Sequence, residues 1–115
     1  MKIDFSKIAE VANPQFKGGE GETMFRTFND GTNKIMRGRL EPGCSIGYHS
    51  HETNSEIIFI LSGEAVCCYD DTEERLTAGQ CHYCPKGHSH SLANASAAES
   101  LLFFAVVPEH NTVKI

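Results

Sequence analysis

The stretch GCSIGYHSHETNSEIIFILSG, residues 43–63, decides the reading of this chain. His49 and His51 are alternate residues, and on a strand alternate residues share a face about 7 Å apart at Cα. Two imidazoles so placed can converge on one ion. Thr53-Asn54-Ser55 supplies a short turn, after which Glu56 opens the next strand-like run. In an antiparallel hairpin that carboxylate returns beside the histidines. Two histidines and one carboxylate, with positions left open for solvent and substrate, are the ligand set of a catalytic divalent transition metal. Ile58 and Ile60 share the parity of Glu56 and would wall the cavity with apolar surface. Tyr48 has the opposite parity to His49 and should point away.

Outward from this stretch the period of two continues. Strand-like runs occupy 22–28, 32–41, 45–51, 56–61, 64–70, 75–77, 80–84, 90–94 and 101–107, separated by turn residues such as Asn29-Asp30-Gly31, Pro42-Gly43, Ser62-Gly63 and Pro85-Lys86-Gly87. About nine short strands at close spacing, with no long helical pattern after residue 21, predict an all-β sandwich or closed barrel. Residues 1–21 read as an N-terminal segment. A short amphipathic helix over 4–11 carries apolar Ile8 and Val11, and Pro14 with the 18–21 glycine cluster breaks it into loop. No strand leads into those glycines and no GK[ST] follows, so they are not a phosphate loop.

Composition narrows the function classes. The chain has 115 residues with 40% hydrophobic content, which suits one domain with a modest core. Ten bases against fifteen acids, net −5, leave no basic stripe for nucleic acid. The longest apolar run, 101–107, is far short of a membrane span. Asp4 and Glu10 interrupt what a secretory signal would need as an apolar stretch, and the expected location is the cytoplasm. In a reducing compartment the five cysteines stay thiols. Cys81 and Cys84 lie in an extended stretch, where residues three apart point to opposite faces, so they do not form a zinc or redox pair.

A second pattern, Gly79-(x5)-Pro85-x-Gly87-x-x-His90-(x3)-Asn94, follows the first, Gly43-(x5)-His49-x-His51-(x4)-Glu56-(x6)-Gly63. Together they resemble the two motifs of the cupin superfamily, with every fixed position occupied, and the short gap between them resembles the small single-domain members. The resemblance implies a jelly-roll β-barrel of antiparallel strands over 22–108, with 109–115 as a C-terminal tail. It implies metal ligands at His49, His51, Glu56 and His90, turns at Gly43, Gly63, Gly79 and Gly87, and a bracing rather than ligating Asn94. Three histidines and a carboxylate suit Mn, Fe, Zn, Ni or Cu as the divalent ion.

Other residues could complete the site. His82, on the strand before Pro85, can face inward and line the pocket. Arg37 and Arg39 alternate on one strand and could anchor an acidic substrate beside the metal through bidentate pairing. His88 reads as an exposed turn residue and His110 as tail. Residues 101–107 lack alternation, as expected for a strand covered on both faces, and a homodimer partner would supply the second cover. The function these features imply is a metalloenzyme acting as a Lewis acid on a small polar metabolite (a sugar, uronate or carboxylic acid) by isomerisation, epimerisation or lyase chemistry. The alternatives are an Fe- or Mn-dependent dioxygenase or decarboxylase, and a non-catalytic ligand-binding or sensory module. No catalytic residue beyond the metal ligands is assigned.

Overall fold

Among the described residues the alternation of the sequence is realised as ten strands. β2 (Glu22–Asn29) and β3 (Asn33–Leu40) form a hairpin with Thr27 opposite Met36. Its turn holds because the Asp30 carboxylate accepts the N–H groups of Thr32 and Asn33 at 2.9 and 2.8 Å, while Gly31 takes a φ of +88°. There follow β4 (Ser45–Ser50), β5 (Glu56–Ser62), β6 (Glu64–Tyr69), β7 (Thr72–Thr77), β8 (Cys81–Cys84), β9 (Ser89–Asn94) and β10 (Leu101–Pro108). This computed structural model describes residues 1–110; 111–115, most of the expected tail, lie outside the described residues. Preceding the hairpin, β1 (Val11–Pro14) pairs antiparallel with β2. The strands make a six-stranded sheet in the order β1-β2-β3-β10-β5-β8 and a four-stranded sheet in the order β4-β9-β6-β7. Every pairing is antiparallel, and the two sheets face each other as the jelly-roll barrel that the motifs imply.

The core lies between the sheets. Leu40, Ile60, Leu101 and Phe103 are fully buried, with Ile58 and Leu92 beside them. Phe103 sits over Gly38, where an added Cβ would come within 2.1 Å of the ring, so the register of β3 against β10 needs a glycine there. The four turn glycines of the motifs all have positive φ. Asn94 braces as expected, its amide donating to the carbonyls of Leu40 and Glu99 at 2.9 and 2.8 Å.

The N-terminal segment differs from its reading. The expected helix over 4–11 is only a 3-10 turn at Phe5–Lys7. Arg26 donates to the carbonyls of Ile8 and Phe5 at 2.6 and 3.2 Å, and the chain leaves the turn for the sheet. Val11–Pro14 is then a strand, not loop. Pro14 is tolerated because β1 lies at the edge of the sheet, where a missing N–H breaks little. A second 3-10 turn, Phe16–Gly18, packs on β4. No helix among the described residues is long and apolar enough to cross a membrane.

Candidate metal centre

Strict alternation along β4 would set Ile46 and His49 on opposite faces. The register slips between them: Ile46 pairs with Leu92, but His49 pairs with His90, one extra residue having entered β4. This bulge re-aims the strand. Ile46 stays in the core, Tyr48 turns out at 54% exposure, and His49 and His51 both face the barrel interior. Gly47 lies in the bulge, where an added Cβ would stand 2.1 Å from the Lys17 carbonyl. The bulge is thus also where the second 3-10 turn docks.

β5 contributes Glu56 at its first residue and β9 contributes His90 at its second, both on inward parity. One ligand atom from each of His49, His51, Glu56 and His90 lies within 4.8 Å of the other three, so the cluster could hold a metal ion. Three of those atoms are closer still. Glu56 Oε1 is 3.2 Å from His51 Nε2 and 2.9 Å from His90 Nε2, and the two nitrogens are 2.9 Å apart. Adjacent donors around an ion held at about 2.1 Å are separated by about 3 Å, which is this triangle. Hydrogen bonding orients two rings correctly: His49 Nδ1 donates to the Gly47 carbonyl at 2.7 Å, and His51 Nδ1 faces the Asn54 amide oxygen. Both Nε2 atoms are left toward the centre. The donor set fits a divalent transition metal.

The electrostatics agree. Burial alone would raise the Glu56 carboxyl, but His51 and then His90 outweigh it and hold the group at about 2. It is an anion at neutral pH, as a ligand must be. Burial also pushes His51 down, yet the Glu56 and Asn54 contacts prevail and raise it. His49, lacking a carboxylate contact of that kind, is lowered by burial.

A cavity of about 290 Å³ opens over the cluster. Phe16, Phe25, Met36 and Val107 form its apolar wall, and Lys17 and Lys34 supply positive charge. Ile58 and Ile60 are core residues below it rather than its wall. Lys17 has a φ of +55°, a left-handed conformation rare for lysine. Lys34 shares the inward parity of Met36 and could have been found from it. Lys17 carried no such signal, since its place depends on how Phe16–Gly18 docks.

Arg37 and Arg39 do not reach this cavity. On β3 the inward positions are Met36, Gly38 and Leu40, so both arginines project from the outer face. Arg39 pairs with Glu10 at 2.7 Å and with Glu41, and Arg37 borders a surface groove beside Phe5 and Glu10. His82 does face inward and is 1% exposed, but it stands behind His90 rather than lining the cavity. Its Nε2 is 3.0 Å from His90 Nδ1 and its Nδ1 is 2.7 Å from Glu74 Oε1. His88 is turned outward and paired with Asp70 at 2.6 Å, and His110 Nε2 meets Ser55 Oγ at 2.8 Å. Cys81 is exposed and Cys84 buried, on opposite faces as expected, and all five thiols are free.

Residues 36–107 match the protein-family model described as a cupin domain. The oxalate-binding protein of Thermotoga maritima is 30% identical over 113 residues, which cover 93% of each chain. Among solved structures, a predicted oxalate decarboxylase from Thermotoga maritima superimposes with a TM-score of 0.88 at 30% identity, covering 95% of this chain and 99% of that one. A sugar phosphate isomerase from Silicibacter pomeroyi shares the fold, with a TM-score of 0.75 at 20% identity over 95% of this chain and 76% of its own.

Proposed function

The chain belongs to the cupin family, and from that premise we propose that it binds one divalent transition metal through His49, His51, Glu56 and His90 and takes a small carboxylic acid onto it. The observation that carries this reading is the triangle of Glu56 Oε1 and two histidine nitrogens, with edges of 2.9–3.2 Å, at the base of a cavity. When bound, the ion acts as a Lewis acid on the oxygens of the ligand. The protein's own groups do the rest. At about 290 Å³ the cavity lies at the small end of ligand sites and selects a compact metabolite. Lys17 and Lys34 draw in an anion and balance its charge. Phe16, Phe25 and Met36 exclude water and strengthen those attractions. The likeness to an oxalate-binding protein supports a carboxylate ligand.

Calorimetric titration of oxalate into protein loaded with Mn²⁺ or Zn²⁺, and into chelated protein, tests the reading. Binding should require the metal. Equal binding with and without the ion, or no binding of any small carboxylate, refutes it. A second reading, decarboxylation with Fe or Mn, is favoured by the likeness to the predicted oxalate decarboxylase. Release of CO₂ from bound acid, with oxygen uptake followed alongside, separates turnover from binding.

The same reading includes a homodimer. Ile57, Phe59 and Leu61 of β5 and Tyr83 of β8 expose 38–54% of their surface on one outer sheet face. Phe5 packs edge-on against Phe104 of β10 at 6.2 Å and covers part of that sheet from its own chain. The remaining apolar strip is of the kind that a second copy covers.

A further inference from the structure

β7 and β8 are the edge strands of their sheets, and side chains meet across the seam between them. Across that seam the Glu74 carboxylate of β7 meets His82 of β8, and His82 meets His90. We propose that Glu74 and His82 are positioning residues that set the tautomer of His90, so that its Nε2 presents a lone pair to the ion. This rests on the metal reading above.

An ionised carboxylate only accepts hydrogen bonds, so the proton in the 2.7 Å contact belongs to His82 Nδ1. A neutral imidazole protonated on Nδ1 is an acceptor at Nε2. That Nε2 lies 3.0 Å from His90 Nδ1, and with His82 neutral the donor in this contact is His90. The rings are within 25° of parallel with centroids 5.2 Å apart, so N–H and lone pair meet edge to edge. With its Nδ1 proton held by His82, His90 has Nε2 left to bind the ion, which would replace the proton shared with Glu56 Oε1 across 2.9 Å in the metal-free centre. His82 and His90 are each 1% exposed, so water does not compete for the contact between them, while Glu74 holds the outer end from a half-exposed position.

The other two histidines take their Nδ1 acceptors from close in sequence, Gly47 and Asn54. His90 has none nearby. Its acceptor is a histidine eight residues away, itself held by a residue of the opposite sheet. Glu74 shares the inward parity of Leu76, where an apolar residue would serve packing alone. The carboxylate is there for the ring it holds.

The test uses the full chain. In metal-free protein at pH 8, ¹⁵N correlation spectra should show the shared proton on His90 Nδ1, with a through-hydrogen-bond coupling to His82 Nε2. A proton found on His82 Nε2 overturns the inference whatever the metal result. Zn²⁺ affinity, by competition with a chromophoric chelator, should fall about 10- to 100-fold in His82→Leu, the usual loss when the partner of a ligating histidine is removed. His82→Gln, which restores an acceptor oxygen, should recover most of it. Glu74→Leu, at a half-exposed site that tolerates change, should lose the coupling and part of the affinity. Wild-type affinity in His82→Leu and Glu74→Leu overturns the inference. A wild type that binds no Zn²⁺ while showing the His90 Nδ1 proton defeats the metal reading but upholds the hydrogen-bonded chain.

Discussion

Removing the metal and removing His90 should have overlapping effects on stability. His49 and His90 are register partners in one sheet, and Glu56 opens β5 of the other, so an ion shared among them would staple the two sheets together. The donors converge only in the folded chain, and binding free energy is then folding free energy. With free metal at 100 times Kd, the gain is about 2.7 kcal/mol. For a chain of 115 residues that corresponds to a rise in Tm of roughly 10 °C. His90→Ala deletes one donor. If affinity falls about a hundredfold, the same metal concentration equals Kd and the gain shrinks to about 0.4 kcal/mol, under roughly 2 °C. The variant also leaves Glu56, 8% exposed, with one histidine contact fewer. Its chelated form should melt below chelated wild type, by up to about 3 kcal/mol of lost stability. Differential scanning calorimetry of both proteins, with chelator and with added Zn²⁺, gives the four melting points. A wild-type Tm indifferent to metal and chelator, or a variant that keeps the full metal shift, refutes the reasoning.

Four further outcomes are expected. Lys17→Glu and Lys34→Glu should each weaken carboxylate binding to the loaded protein about tenfold, less at high salt, with metal affinity nearly unchanged; calorimetry at two ionic strengths checks this. Gly47→Ala should displace Phe16–Gly18, because its Cβ would lie 2.1 Å from the Lys17 carbonyl, and weaken carboxylate binding together with stability. Phe59→Lys should convert a dimer to a monomer in light-scattering measurements, with the fold intact by circular dichroism. Hydrogen bonding to Arg39 holds the Glu10 carboxyl below its ordinary value of 4.5. A group depressed on folding stabilises above its unfolded pKa and ceases to as pH falls. The N-terminal segment should therefore lose hydrogen-exchange protection below about pH 4.5, and Glu10→Gln should lose it at neutral pH.

Much of this was legible in the letters. Among the described residues, period-two runs between turn residues located nine of the ten strands to within about three residues, and only β1 escaped, because Pro14 and the glycines beside it read as breakers. Two spaced motifs, through their resemblance to those of the cupins, named the four residues whose side chains the fold gathers within 4.8 Å of one another. What stayed hidden depended on parity across strands rather than along one. From the chain alone Arg37 and Arg39 were as eligible to face inward as Met36 and Gly38, and Glu74 fell outside the expected strand that begins at 75.

The sequence by itself determined the alternation, the turns and the identity of the donors, because these are properties of single strands and single side chains. Tertiary structure decided the rest. A one-residue bulge opposite β9 lets Ile46 and His49 face the same interior, docking of Phe16–Gly18 brings Lys17 to the cavity, and side-chain contact across the β7–β8 seam puts Glu74 on His82. Each of these joins residues whose distance is set by how two sheets pack, and no local pattern encodes that distance.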